Sequence, residues 1–372
     1  MQSKDKNKRK VILILANNDM GLYKFRKELI DALLKEYKVI ISLPEGPFVE
    51  KMTQMGCEFV ETEFERRGKN PFKDLELLLY YKKLISKARP DIVLTYTIKP
   101  TLYGGIACRI SKVPYIVNIT GLGTAVQNPG ILQKIILLMY RTVLPYAKCI
   151  FFQNKTNRDF FLERKMVKKA VLIPGSGVNV EEYSYVEYPS VEEQQDIFLF
   201  IGRIMRDKGV EELFDAASKI KKEYPKVSFD IVGFSDEDYS EKMEELVNKG
   251  VIRFWGVQQD VKPFLRKCSA IILPSYHEGM ANVLLEASST GRPVIASKIP
   301  GCQETFDENI SGFGVEVKNS DSLYETLERF ILLDYAQKVE MGKAARKKME
   351  DEFNRHKVID AYIKDIKNTV KQ

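Results

Sequence analysis

Residues 196–209 read DIFLFIGRIMRDKG and residues 270–286 read AIILPSYHEGMANVLLE. Each stretch opens as a short apolar run, turns, and passes into a segment of helical period. Such a run, without polar alternation, suits a strand buried on both faces, and strands alternating with helical segments build a parallel sheet with crossover helices. The pattern continues outward through SFDIVG from Ser228, IRFWG from Ile252 and PVIAS from Pro293. The first half carries its own series: VILILA from Val11, KVIISL from Lys38, DIVLTY from Asp91, YIVNIT from Tyr115, CIFFQN from Cys149 and AVLIPG from Ala170. The fold class expected is therefore α/β, with two consecutive Rossmann-like, doubly wound domains.

Between the two series, residues 183–195 (YSYVEYPSVEEQQ) have neither period and hold a proline and several acids, as a linker does. This reading gives a first domain over 1–187, a second over 188–352 and a closing helix over 353–372. A chain of 372 residues, 44% hydrophobic and 29% charged, is large enough for two cores, which excludes disorder. Ligands of such sheets bind at the carboxyl ends of the strands, so a cleft between facing domains is expected.

The net charge of +7 is unevenly shared: residues 1–190 carry +12 and the remainder −5. The five cysteines have no CxxC pair, which suggests neither a zinc site nor a disulfide framework and fits a reducing compartment. The opening MQSKDKNKRK before Val11 mimics a signal peptide, but the apolar run is short and Asn17, Asn18 and Asp19 follow it. A basic tail and a first strand are expected there, and no run approaches the roughly 20 apolar residues of a spanning helix. A cytoplasmic protein is the expectation.

The strongest chemical signal lies in the two opening stretches. Gly202-Arg203 ends one strand, and Asp207-Lys208-Gly209 opens the next helix. A forked guanidinium and a compact ammonium at a glycine turn suit a diphosphate, although a solvated basic turn has the same composition. After strand AIILP, Glu278-Gly279 form a loop and a helix is expected from Met280. Free backbone N–H groups of Ala281, Asn282 and Val283 would then favour an anion. Glu286 is an acid within the apolar run Val283, Leu284, Leu285, Ala287; it calls for hydroxyl donors such as a sugar supplies, or it caps its own helix or pairs with Arg292.

Gly202-Arg203, Lys208-Gly209, Glu278-Gly279, Glu286 and the following G-x-P-V-I-A-S (291–297) together resemble the family 4 retaining glycosyltransferases of GT-B fold. That resemblance implies that Arg203 and Lys208 hold the donor diphosphate, that Glu286 binds the ribose hydroxyls and that Glu278 binds the transferred sugar. Arg203, Lys208 and Glu278 would be the catalytic set. It further implies that backbone near Arg253 reads the nucleobase, and that Gly279, Met280, Ala281, Asn282 and Val283 meet sugar and phosphate. It also implies that the closing helix returns to the first domain.

In the first half, GLYKFR (21–26), KPTLYGG (99–105) and TGLG (120–123) resemble the subgroup that builds capsular, O-antigen and glycan precursors on polyprenyl diphosphate, including transferases that add N-acetylgalactosamine to lipid-linked bacillosamine. Gly21 would let its loop approach the donor phosphate, and Tyr23, Arg26, Lys99, Tyr103 and Gly121 become candidate acceptor residues. Many relatives carry a histidine in this domain, whereas the two histidines here, His277 and His356, lie in the second half. The resemblance implies front-face transfer in which the departing phosphate helps to deprotonate the acceptor, so positioning and charge stabilisation carry catalysis.

Asp236-Glu237-Asp238 has the D-x-D form of a metal site, but it stands before a helix, where acids cap; neither metal nor cofactor is expected. His277 either touches the sugar or packs in its loop. Residues 130–145 (GILQKIILLMYRTVLP) form a basic amphipathic segment, and residues 101–150 hold five basic residues and no acid. Either the apolar face packs on the sheet, or it meets an anionic membrane surface, which the charge favours. The expected reaction moves a hexose or N-acetylhexosamine from a UDP-sugar donor to a polyprenyl-diphosphate-linked acceptor at the inner face of the membrane. An epimerase or phosphorylase of the same fold would need further acid/base groups or a pyridoxal-bearing lysine. A dehydrogenase would need G-x-G-x-x-G, and a periplasmic sugar-binding protein a signal peptide. Nucleic acid is not expected as a partner, since no basic-aromatic interleaving accompanies the positive half.

Overall fold

The computed structural model describes residues 9–62, 70–122, 126, 130–190 and 196–371. The basic tail over 1–8, Gly123 and the part of the expected linker over 191–195 lie outside the described residues. The chain divides into two compact units, one formed by 1–176 with 357–372 and the other by 177–356.

In the first unit, β1 (Val11–Leu15), β2 (Lys38–Leu43), β3 (Glu58–Glu61), β4 (Ile92–Tyr96), β5 (Tyr115–Ile119), β6 (Cys149–Phe152) and β7 (Ala170–Leu172) form one parallel sheet in the order β3-β2-β1-β4-β5-β6-β7. In the second unit, β8 (Ile197–Ile201), β9 (Ser228–Val232), β10 (Arg253–Phe254), β11 (Ala270–Leu273), β12 (Val294–Ser297) and β13 (Gly312–Val315) are ordered β10-β9-β8-β11-β12-β13. Both are doubly wound, with the order reversing between β1 and β4 and between β8 and β11, so the crevice for a ligand lies at those carboxyl ends. Two edge strands, β3 and β13, had not been expected. The first reads EFVE and the second GFGV, too short and too polar or glycine-rich to show as apolar runs.

Both faces of the first sheet are covered, which explains its unbroken apolar runs. Ile12 and Ile14 of β1 enter one core with the helix Asp19–Leu34, while Leu13 and Leu15 enter another with the helices Pro71–Ala88 and Ile131–Val143. The last helix, Arg355–Val370, packs on the first of these cores through Val358, Ile359, Tyr362 and Ile366, each contributing about 1.5–3 kcal/mol if fully removed from water. Tyr362 stacks on Phe151 with centroids 4.2 Å apart and accepts a hydrogen bond from Asn118.

The first division falls between Ser176 and Gly177, upstream of the expected 187/188, because residues 177–190 are held by the second unit. Val178 bridges Asn354, and Arg346 donates to the carbonyls of Val180 and Tyr183. Arg292, fully buried, grips the carbonyls of Val186 and Glu187 as well as those of Leu265, Arg266 and Gly291. All five guanidinium N–H donors are thereby satisfied by carbonyls, two of them at the C-terminus of the helix Lys262–Lys267, where a cation is favoured. Arg292 is thus a structural cation at the base of the segment and is not held by Glu286.

Candidate functional site

The carboxyl ends of β8 and β11 carry the residues singled out in the second unit. After β8, Arg203 Nη1 donates to Asp236 Oδ2 at 2.7 Å, and a 3₁₀ turn, Arg206–Lys208, leads to the helix Val210–Glu223. Gly209 closes that turn with φ 70°, and a Cβ there would stand 2.1 Å from the Pro274 carbonyl oxygen, so only glycine allows the turn to cross the end of β11. The Tyr276 N–H donates to Asp207 O at 2.9 Å, and the Tyr276 hydroxyl donates to Glu212 at 2.7 Å. These contacts fix the two loops to each other.

Lys208 and Glu278 meet in an ion pair whose side chains are only 17% and 13% exposed, and Ser275 Oγ donates to the same carboxylate oxygen at 2.9 Å. Gly301, at φ 88°, presses on the other side of the loop, where a Cβ would fall 2.8 Å from the carbonyl oxygens of Glu278 and Gly279. The helix begins at Asn282, not near Met280 as expected. The Ala281 N–H, expected free, donates to Gly301 O at 2.8 Å because the loop is laid along that glycine before the helix starts. Met280 is buried with Val178, Leu285, Met349 and Phe353, so its side chain is packing. Asn282 keeps Oδ1 buried without a hydrogen-bond partner, and Val283 is half-buried beside it. His277 is exposed.

Glu286, half-buried one turn into this helix, hydrogen-bonds the Tyr183 hydroxyl, and burial followed by the charge of Glu286 raises the Tyr183 pKa. Tyr183 belongs to the stretch read as a linker and gave no signal in the sequence. Arg253 stands opposite Asp230 on the β9–β10 ladder and pairs with it at 2.5 Å. The D-x-D carboxylates are engaged in three ways: Asp236 with Arg203, Glu237 accepting from the Arg206 N–H at 2.8 Å and Asp238 accepting from the Ser240 N–H at 3.3 Å.

In the first unit, Gly21 is in a helix and not in the expected loop: Asn18 caps the helix Asp19–Leu34 and accepts the Gly21 N–H at 2.6 Å. Arg26 is buried at 4% exposure, its guanidinium 5.2 Å from the Tyr96 ring and 5.9 Å from that of Tyr362, so it belongs to the interior and not to an open acceptor surface. Tyr23 packs on Phe48 with centroids 5.4 Å apart and the rings tilted by 32°, and Lys27 and Lys51 lie over its ring. After β4, Thr97 adopts φ 68°, a strained conformation for a β-branched residue, and a π-helical turn, Pro100–Gly104, follows. Lys99 pairs with Asp74 at 2.8 Å, and Tyr103 hydrogen-bonds the same carboxylate; burial first, then Asp74, raises the Tyr103 pKa. Gly121 is half-buried in the loop after β5. Lys99 and Tyr103 are thus brought together, whereas Arg26 is withdrawn.

Two family models divide the chain: "Glycosyl transferase 4-like" matches residues 11–154 and "Glycosyl transferases group 1" matches residues 187–348. The N,N'-diacetylbacillosaminyl-diphospho-undecaprenol alpha-1,3-N-acetylgalactosaminyltransferase of Campylobacter jejuni is 27% identical over 348 residues, 89% of this chain and 92% of its own. The UDP-Gal:alpha-D-GlcNAc-diphosphoundecaprenol alpha-1,3-galactosyltransferase of Escherichia coli is 28% identical over 79% of each chain. Among solved structures, a Rickettsia africae glycosyltransferase superposes with a TM-score of 0.78 at 20% identity, covering 98% of this chain and all of its own. Anabaena HepE in complex with UDP and glucose superposes with 0.79 at 16%, covering 96% of this chain and all of its own. The chain is a GT-B glycosyltransferase, with a glycosyltransferase 4-like first half and a group 1 second half.

Proposed function

We propose that this chain is a retaining, metal-independent glycosyltransferase that moves a hexose or N-acetylhexosamine from a UDP-sugar to a polyprenyl-diphosphate-linked saccharide, in the assembly of a cell-surface polysaccharide or glycan. The observation that carries this reading is the convergence, at the β8/β11 switch point, of Arg203 and Lys208 with Glu278 and the start of the Asn282–Ser289 helix. Two cations and a helix N-terminus favour the negative charge that develops on a departing diphosphate. The orphaned Asn282 Oδ1 wants a hydroxyl donor from the sugar, and Glu286, with one hydroxyl from Tyr183, has oxygens for the ribose. The relatives named above act, by their names, on diphospho-undecaprenol-linked sugars.

Both histidines of the chain fall in the second unit, so the first offers no histidine base. Front-face transfer, in which the departing phosphate takes the acceptor proton, fits that absence. Asp236 on Arg203 and Asp238 on the Ser240 N–H give these D-x-D carboxylates protein partners, which supports the metal-independent reading.

Among the described residues no helix is long and apolar enough to cross a membrane. The amphipathic helix Ile131–Val143 then supplies peripheral contact with an anionic surface at the inner face of the membrane. The experiment is a screen of UDP- and GDP-sugars for saturable binding, followed by transfer to polyprenyl-diphosphate acceptors with and without chelator. Binding of UDP-sugars, weakened in Arg203→Ala and Glu286→Ala, with full turnover in chelator, is the expected result. Unchanged binding in both variants overturns the donor site, and activity restored only by a divalent cation overturns metal independence.

A further inference from the structure

At the amino ends of β5 and β6, on the edge of the first sheet opposite Lys99, lies a concavity of about 520 Å³. Arg109 and Lys112, from the helix Gly105–Ser111 and its C-cap, and Lys148, from the turn before β6, line it beside Tyr146, and among the described residues no carboxylate does. Arg109 donates to the Thr142 carbonyl, and its guanidinium lies 3.8 Å from the centroid of the Tyr146 ring. Three like charges converging on one hollow repel one another until an anion joins them. Position at helix C-termini accounts for Arg109 and Lys112 but not for Lys148, which precedes β6.

What borders the hollow identifies the anion. Along the helix Ile131–Val143 the exposed residues Ile131, Ile135, Leu138 and Thr142 are spaced i, i+4, i+7 and i+11, one stripe that runs to Arg109 and Tyr146. A freely soluble phosphate has no use for an apolar stripe, whereas a phospholipid presents phosphate and acyl chain together.

We propose that the Arg109–Lys112–Lys148 hollow binds the phosphate of an anionic phospholipid headgroup, with the apolar stripe of the Ile131–Val143 helix in the acyl boundary beside it. The site lies at the far edge from the carboxyl ends where acceptor and donor are read, so it is a docking site and not part of the transfer machinery. It rests on the peripheral membrane contact proposed above and names the group that this contact recognises.

The test is flotation of the full chain with vesicles of phosphatidylcholine alone or mixed with phosphatidylglycerol. Wild type is expected to float with the mixed vesicles. Arg109→Gln/Lys112→Gln/Lys148→Gln is expected to lose about 100-fold in partition, about fivefold for each cation. Should the triple variant fail to fold, Lys148→Gln alone is expected to show the fivefold loss. Because all five native cysteines are buried, a dye on Thr142→Cys gives an independent readout, shifting blue with phosphatidylglycerol vesicles and not with phosphatidylcholine. If wild type floats and the neutralised variants float equally, the headgroup site is wrong while membrane contact stands. If wild type does not float, both fall. Saturable binding of glycerol 3-phosphate, lost in the triple variant without any flotation of wild type, would make this a soluble-anion site and overturn the lipid assignment.

Discussion

The two units share a strand order and each places a shielded lysine–carboxylate pair at its carboxyl edge, yet the pairs are built differently. In the second unit Lys208 and Glu278 come from the loops after β8 and β11, locked by Gly209 on Pro274 and by Gly301 on the Glu278 carbonyl. In the first, Lys99 follows β4 and its partner Asp74 lies on the helix Pro71–Ala88, behind a strained Thr97 and a π-helical turn. The side chains are similarly shielded, 17% and 13% exposed against 17% and 19%. The second pair is pre-organised by backbone that only glycine permits; the first is set on an irregular turn that stores strain, as ligand-gripping segments do. A doubly wound sheet thus fixes where a cation is presented, while the loops decide how rigidly it is held.

The largest effect expected is in the second unit. Arg203→Ala and Lys208→Ala each remove a cation from the leaving diphosphate and should lower kcat by about 10²–10³-fold in a transfer assay. Lys208→Ala also strands Glu278, half-buried and short of its counter-charge, so its melting temperature should fall while that of Arg203→Ala, whose side chain is 39% exposed, should hold. Equal turnover in wild type and both variants would erase the distinction between the units.

A smaller change is expected at Lys99. Lys99→Ala should raise the acceptor KM by about tenfold, the worth of a charged hydrogen bond, and leave the KM for UDP-sugar unchanged. Asp74→Asn, which weakens the hold on Lys99, should move the acceptor KM the other way. A change in the UDP-sugar KM instead would show that the first unit's pair serves the donor.

Smaller still is Tyr183→Phe, which takes one hydroxyl from Glu286 and should weaken UDP-sugar binding about fivefold, measured calorimetrically, with little change in stability. A loss that appears only toward the acceptor would detach Glu286 from the donor.

The donor side was legible because its parts are local: a strand end, a glycine turn and a helix start fall within a few residues, and the residue types carry the chemistry. What was not legible needed partners far along the chain. Asp236 reads as a cap until β9 is paired beside β8, which brings it to Arg203. Tyr183 reads as linker until Arg346 pulls its carbonyl onto the second unit and its hydroxyl meets Glu286. Arg26 reads as a candidate acceptor residue beside Tyr23, but on the helix Asp19–Leu34 it stands four residues after Leu22 and three before Leu29, on the buried stripe, over the Tyr96 ring. Gly21 reads as loop until Asn18 is seen to accept its N–H, which caps the helix from Asp19 and takes Gly21 into its first turn. The edge strands β3 and β13 were missed because they have too few apolar residues to show a period.

The smallest effect expected separates the units by alkali. Burial pushes the thiols of Cys57 and Cys149 up to about 12 in the first unit, where the hydroxyls of Tyr81, Tyr96, Tyr115, Tyr140 and Tyr362 are raised as well. In the second unit burial pushes Cys268 to about 12 and Cys302 well up, and Tyr183, Tyr188, Tyr224, Tyr239, Tyr276 and Tyr324 are raised. A group whose folded pKa lies above its unfolded value stabilises the fold fully below the unfolded value and ceases to do so as pH rises toward the folded one. Stability should therefore be flat from neutrality to about pH 8.5, where unfolded thiols begin to ionise, and should fall through pH 10 as unfolded tyrosines follow. With more of these groups buried, the first unit should open first. The single tryptophan, Trp255, lies in the second unit, so its fluorescence follows that unit alone while far-ultraviolet circular dichroism follows both. A dichroism transition that precedes the Trp255 transition as pH is raised is the expected result; coincident transitions would mean that the two units unfold as one.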